Sequence, residues 1–115
     1  APGDTLAAKA KAYIDAEFHR ALSPGTIAAA LGYSPDYLGE KFQAAQGRTL
    51  GQYLCERRMR EARLLLSKQP LRVKEVAHLC GYSSEQYFCR VFRRHEGISP
   101  SGYRAFHSRL SINVR

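Results

Sequence analysis

No apolar run in this chain approaches the roughly 18 residues that a bilayer-spanning helix needs, so no membrane segment is expected. Disulfide-framework spacing is missing as well. The three cysteines, Cys55, Cys80 and Cys89, are an odd number without a CxxC pair, which favours a reducing cytoplasm over a stapled secreted module. The start, Ala1-Pro2-Gly3, has neither a Met nor a signal-peptide apolar stretch, and a trimmed piece of a longer protein is expected. No catalytic constellation stands out. His19, His78 and His107 have no acid or nucleophile at motif spacing, and there is no phosphate-cradling glycine loop or nucleophile elbow. The spacing of Cys80, Cys89 and His95 fits no standard zinc site. Neither enzyme chemistry, a metal nor a cofactor is expected. At 115 residues, 44% hydrophobic and 24% charged, the chain is one ordinary globular domain rather than a disordered tail or a collagen-like rod.

Acidic residues are outnumbered: 18 Lys+Arg face 10 Asp+Glu, a formal charge of +8. Such an excess suits a partner rich in phosphate. The imbalance is local. Residues 1–47 hold four basic and five acidic residues, a net of −1, whereas residues 48–115 hold fourteen and five, a net of +9.

The chain also repeats itself. Ala28, Gly32, Tyr33 and Ser34 recur 49 positions later as Ala77, Gly81, Tyr82 and Ser83. Tyr37, Phe42, Gly47 and Tyr53 recur 50 positions later as Tyr87, Phe92, Gly97 and Tyr103. Two copies are too few for a solenoid, so the repeat is a duplicated supersecondary unit. Each copy opens with a short amphipathic stretch, Thr26–Leu31 or Val73–Cys80, and reaches a Gly, the residue that tolerates a left-handed helix stop. Ser34 or Ser83 then reads as an N-cap, with Pro35 at the first helical position in copy one and Gln86 closing a capping box in copy two. A longer helix follows to Gly47 or Gly97. Short helix, tight turn, longer helix is the helix-turn-helix pattern.

The remainder is helical too. Leu6, Ala10, Tyr13, Ile14 and Phe18 mark an amphipathic helix, Ser23-Pro24 opens the first short helix, and Ser99-Pro100 opens the last. Thr49 with Gln52 forms a capping box for a linker helix over about 49–67. The expected fold is all-α, seven helices with two helix-turn-helix units over about 24–46 and 73–96 and a flexible tail at 108–115. At 1.5 Å per residue the linker spans roughly 28 Å, near the 34 Å or so between successive major-groove faces of B-DNA. Modest bending of the duplex lets both units enter adjacent grooves.

A helical wheel sorts the side chains of the longer helices. In the second copy Phe88, Val91, Phe92 and His95 form the inward stripe, and Gln86, Arg90 and Arg93 lie opposite, bordered by Glu85 and Cys89. Arg pairs bidentately with guanine and Gln with adenine, so this is a base-reading face, with Arg94 on its flank suited to a phosphate. In the first copy Leu38, Phe42 and Ala45 point inward with Lys41 at the edge, and Asp36, Glu40 and Gln43 lie opposite beside Gly39. That face is acidic, and its carboxylates offer acceptors only. Tyr37, Phe42, Tyr53, Phe88, Phe92 and Tyr103 are expected in the core. Arg57, Arg58, Arg60 and Arg63 of the linker are expected to pair with Glu56 and Glu61.

On these residues the chain resembles the DNA-binding domain of the AraC/XylS family of bacterial transcription regulators. Ile27-Ala28, Gly32-Tyr33-Ser34, Tyr37-Leu38, Phe42 and Gly47 carry the likeness in the first copy, with Tyr53-Leu54, Arg58, Ala62 and Leu65-Leu66 in the linker. Val76-Ala77, Gly81-Tyr82-Ser83, Tyr87 through Arg94, Gly97 through Pro100 and Tyr103-Arg104 carry it in the second. The likeness covers about residues 5–107. It implies base-facing positions at Asp36, Gly39 and Glu40 and at Glu85, Gln86 and Arg90, to which the wheel adds Gln43 and Cys89. The first unit departs from the family there, where relatives often carry polar or basic residues. Phosphate contacts are expected from Ser34, Lys41, Arg48, Ser83, Arg93, Arg94 and Arg104. The implied partners are double-stranded DNA, RNA polymerase, and an effector-binding or dimerisation domain elsewhere in the parent chain, all in the bacterial cytoplasm at the nucleoid. The alternative is a protein-interaction module contacting RNA polymerase or a partner regulator, with DNA contact secondary. RNA binding is a weaker third reading, because neither face offers an aromatic platform for single strands.

Overall fold

A computed structural model describes residues 2–114, with side chains over 4–108. The helices are α1 (Pro2–Glu17), α2 (Pro24–Leu31), α3 (Pro35–Gln46), α4 (Leu50–Lys68), α5 (Val73–Leu79), α6 (Glu85–Glu96) and α7 (Pro100–Val114), and no strand occurs among the described residues. This is the all-α, seven-helix architecture expected. The chain divides into two compact units, one up to Arg57 and one from Arg58 onward, with the division inside α4. From Arg109 onward the expected tail lies outside the described side chains.

In the first unit α1 packs on α3 and α2. Leu6, Ala10 and Ile14 recur at four-residue spacing and are buried, joined by Ala7 on the same face. The alanines let helix backbones approach closely. Ile27, Leu38 and Phe42 complete this core, and the ring of Phe42 meets Tyr53 edge-on at 5.9 Å. The Tyr53 hydroxyl donates to Asp15 Oδ1 at 2.9 Å, which gives a mostly buried phenol its partner.

In the second unit Met59, Ala62 and Leu66 of α4 are buried, as are Val76, Phe88 and Phe92. Phe92 lies 5.8 Å from Phe88 and edge-on to Tyr103 at 5.6 Å. The guanidinium of Arg58 stacks 5.0 Å over Tyr82, and the residue is only 9% exposed. Arg104 donates from Nε to the Leu66 carbonyl at 3.1 Å and from Nη2 to that of Gln69 at 3.3 Å, so a cation closes the C-terminal end of α4.

The two turns share one device. Gly32 (φ 84°) and Gly81 (φ 92°) are left-handed, and Tyr33 and Tyr82 donate their N–H groups to Ala28 and Ala77 carbonyls at 2.9 and 3.0 Å. The copies then diverge. Ser34 caps α3, its Oγ accepting from the Tyr37 N–H at 3.2 Å, but α6 is capped by Ser84, not Ser83, with the Tyr87 N–H at 3.1 Å. The extra residue of the second copy therefore sits in the turn between Tyr82 and Ser84. With the cap moved by one, Gln86 is no longer at the capping-box position. Ser84→Ala should cost about 1 kcal/mol in chemical denaturation. Ser83→Ala should stay within about 0.5 kcal/mol. Equal losses would restore Ser83 as the cap. The other expected caps form. Thr49 and Gln52 exchange hydrogen bonds at 2.8 and 3.1 Å, and Ser23 and Thr26 do so at 2.9 and 3.2 Å.

Three packing expectations are corrected. Tyr37 is 46% exposed rather than core, because its ring lies against Tyr33 on the surface and the interior beside it is filled by Leu38 and Phe42. His95 is exposed too, its Nδ1 lying 2.8 Å from Glu96 Oε2. Two linker arginines reach beyond their helix, Arg57 lying 3.6 Å from Asp15 and Arg63 donating to Glu96 at 2.7 Å, while the expected partner Glu56 is taken by Arg48.

Candidate nucleic-acid interface

Residues of α3 and α6 correspond at an offset of 50, so the outward faces compare position by position. Leu38 and Phe42, like Phe88 and Phe92, are fully buried and define the inner side of each helix. Opposite them α6 exposes Gln86, Arg90, Arg93 and Arg94. The same places on α3 are Asp36, Glu40, Gln43 and Ala44, also exposed. Three cations on one helix thus stand against two carboxylates on the other.

Of the expected base-facing residues, Glu85 is exposed and Cys89 half-buried on α6, while Gly39 is half-buried on α3. Burial, then the nearby Glu85 carboxylate, pushes the Cys89 thiol above its ordinary value, so it stays a neutral, weak hydrogen-bonding group. A Cβ on Gly39 would meet nothing within 4 Å. Nothing in the chain requires glycine there, although glycine within a helix costs about 0.8–1 kcal/mol relative to alanine.

The expected phosphate ligands fall into two groups. Ser34, Lys41, Ser83, Arg93 and Arg94 are exposed. Arg48 is half-buried, bonded to Glu56 with its guanidinium 4.9 Å over Tyr53, and Arg104 is held by the carbonyls at the end of α4. The wheel overlooked the exposed tyrosines beside these helices, Tyr33, Tyr37 and Tyr87. The signal was present in the pairing of Tyr37 with Lys41 at i, i+4, which brings two side chains together on a helix surface.

A family model described as a helix-turn-helix domain matches residues 27–105. Among curated proteins, an uncharacterized HTH-type transcriptional regulator, YijO of Escherichia coli K12, is 42% identical over 100 residues, covering 86% of this chain and 35% of that protein. The chain thus spans about a third of that relative's length. Among solved structures, the C-terminal domain of AraT, a response regulator from Geobacillus stearothermophilus, superimposes with a TM-score of 0.86 at 30% identity, over 88% of this chain and 84% of that one. An AraC-type transcriptional regulator from Chromobacterium violaceum gives 0.80 at 28% identity, over 90% and 92%. The DNA-binding domain of AdpA, a global transcriptional factor solved with a target DNA, gives 0.82 at 31% identity, over 88% and 91%.

Proposed function

This chain belongs to the AraC/XylS family of helix-turn-helix transcription regulators, and we propose that it is the sequence-specific, double-stranded-DNA-binding portion of a bacterial regulator. The observation that carries the reading is the outward face of α6, where Gln86 and Arg90 are exposed between Arg93 and Arg94 and directly opposite the buried Phe88 and Phe92. A helix with apolar anchors behind and a Gln/Arg pair in front is built to place bidentate donors against base edges. The AdpA domain, alike in fold and 31% identical, was solved with a target DNA.

In this reading α3 and α6 enter adjacent major grooves and the second unit supplies most of the affinity. Glu85, Gln86, Cys89 and Arg90 face bases from α6; Asp36, Gly39, Glu40 and Gln43 do so from α3, where acceptors suit cytosine N4. The domain extends over residues 5–107. It acts as a binding module rather than an enzyme. RNA polymerase and an effector-binding or dimerisation domain of the parent protein are its further partners, in the cytoplasm at the nucleoid.

The state of each cation sets the expected salt dependence. Of the seven residues expected at phosphates, Ser34 and Ser83 carry no charge and Arg104 is engaged in closing α4. Lys41, Arg93 and Arg94, with Arg48 in part, leave about four phosphates. Log K should then fall with log[salt] at a slope of roughly −3 to −4. Fluorescence anisotropy on a random-sequence duplex at several salt concentrations measures it. A flat response, or no binding, would sink the DNA reading. The protein-interaction alternative, favoured by the carboxylates on α3, would then take its place.

A further inference from the structure

One feature of the first unit has no role in base reading as described above. The rings of Tyr33 and Tyr37 stack at 5.7 Å between centroids with 20° between their planes, and both are exposed, at 37% and 46%. The ammonium of Lys41 lies 5.5 Å over the Tyr37 ring. Two large aromatic side chains and a cation thus form one contiguous surface ladder. Lys41 is also the only basic residue of α3.

Its position relative to the outward face is informative. Glu40 is opposite the buried Leu38 and Phe42; at about 100° per residue, Tyr37 lies roughly 60° and Lys41 roughly 100° to one side of it. A helix lying in a major groove presents its forward side chains to base edges and its flanks to the sugar-phosphate strands that wall the groove. The ladder is on a flank. The second unit keeps a ring pair, Tyr82 and Tyr87 at 5.9 Å, but the planes are tilted by 53° and α6 has no lysine to stand beside them. Tyr82, the counterpart of Tyr33, is only 8% exposed beneath the Arg58 guanidinium, and Val91, half-buried, stands where Lys41 would be. In α6 the cations stand at the front of the helix, and in α3 the sole cation stands at the side, beside the stacked phenols.

We propose that Tyr33, Tyr37 and Lys41 form a sugar-phosphate clamp by which the first unit holds duplex DNA. The proposal rests on the DNA-binding reading above and deepens it. The phenol hydroxyls donate to phosphate oxygens, the ammonium neutralises one phosphate, and the exposed ring faces cover deoxyribose. Tyrosine has few rotatable bonds, and stacking restricts these two further, so little conformational freedom is lost on binding. The clamp answers the difficulty posed by Asp36 and Glu40: a helix whose front repels phosphate needs an attractive contact at its side. It predicts a division of labour, with the first unit fixing the protein on the duplex independently of sequence.

The test uses the chain itself, with anisotropy measured on a random-sequence duplex and on one enriched from a randomised pool. Tyr33→Phe with Tyr37→Phe keeps the stack and removes both hydroxyls; Lys41→Gln removes the charge. Each should weaken binding roughly three- to tenfold, in line with the modest net worth of a typical solvent-exposed contact. The loss should be equal on both duplexes. Lys41→Gln should also make the salt slope shallower by about one, and the phenylalanine pair should leave it unchanged. Circular dichroism melts should be unaltered, since all three side chains are exposed. Binding within twofold of wild type for both variants would overturn the clamp, as would a loss confined to the enriched duplex, which would make the rings base readers. Arg94→Ala is run alongside. If it weakens binding while the clamp variants do not, only the clamp falls. If the wild-type chain binds neither duplex, the DNA reading falls with it.

Discussion

Replacing Gln86 and Arg90 together by alanine should abolish sequence-specific binding, whereas Glu40→Ala should strengthen binding to random DNA. Both side chains of the pair are exposed on the front of α6. One good bidentate contact discriminates by about 1–3 kcal/mol, so losing two removes roughly 2–6 kcal/mol, at least thirtyfold in preference. Glu40 occupies the place on α3 that Arg90 holds on α6. A carboxylate about 5 Å from a phosphate in water repels it by roughly 1 kcal/mol before screening, so Glu40→Ala should gain about threefold on random sequence at low salt. Footprinting and competition with random duplex measure both effects. Should Glu40→Ala lose specific binding as severely as the α6 double change, the carboxylate is itself a base contact, accepting from cytosine N4, and the two units read DNA equally.

The largest effect on stability should come from Phe92→Ala. This ring is fully buried, packs on Phe88 and Tyr103, and immediately precedes the exposed Arg93 and Arg94. Truncating a buried Phe costs about 3–5 kcal/mol from lost transfer energy and the cavity left behind. Domains of this size are stable by about 5–15 kcal/mol, so the loss is a large share of the total. At about 4–8 °C per kcal/mol for a small domain, the melting midpoint should fall by roughly 15 °C or more. Tyr87, five residues earlier on the same helix, is 53% exposed, and Tyr87→Ala should cost less than about 1 kcal/mol. A Phe92→Ala loss below about 1 kcal/mol would mean that the second unit is not packed around this ring.

The contrast between Phe92 and Tyr87 shows what pattern reading can do. Both are aromatic and both recur in the repeat, from Phe42 and Tyr37. The helical wheel places Phe92 beside Phe88 on the inner side of α6, and both rings are fully buried. Tyr37 and Tyr87 fall near the edge, where neighbours from elsewhere in the chain decide. The same logic separates the arginines. Arg90, Arg93 and Arg94 follow directly from the wheel, since the side opposite a buried stripe is exposed in any small helical domain. Arg48 and Arg104 look equally cationic in sequence, but one is occupied by Glu56 and Tyr53 and the other by carbonyls of Leu66 and Gln69.

The seven helices, the glycine stops at Gly32, Gly47, Gly81 and Gly97, the duplication and the reversal of charge between the two outward faces are legible in the order of residues, because periodicity and capping are local and act through neighbours three or four residues apart. The folded chain adds that Ser84 rather than Ser83 caps α6, that Tyr33 and Tyr37 stack in the open while Tyr82 lies under Arg58, and that Arg104 is engaged inside its own unit. Apart from the cap, where one extra turn residue shifts the register, these outcomes depend on which groups from distant parts of the chain arrive beside a side chain. The Arg104 guanidinium meets the carbonyls of Leu66 and Gln69, more than thirty positions away, a distance over which no local pattern carries information.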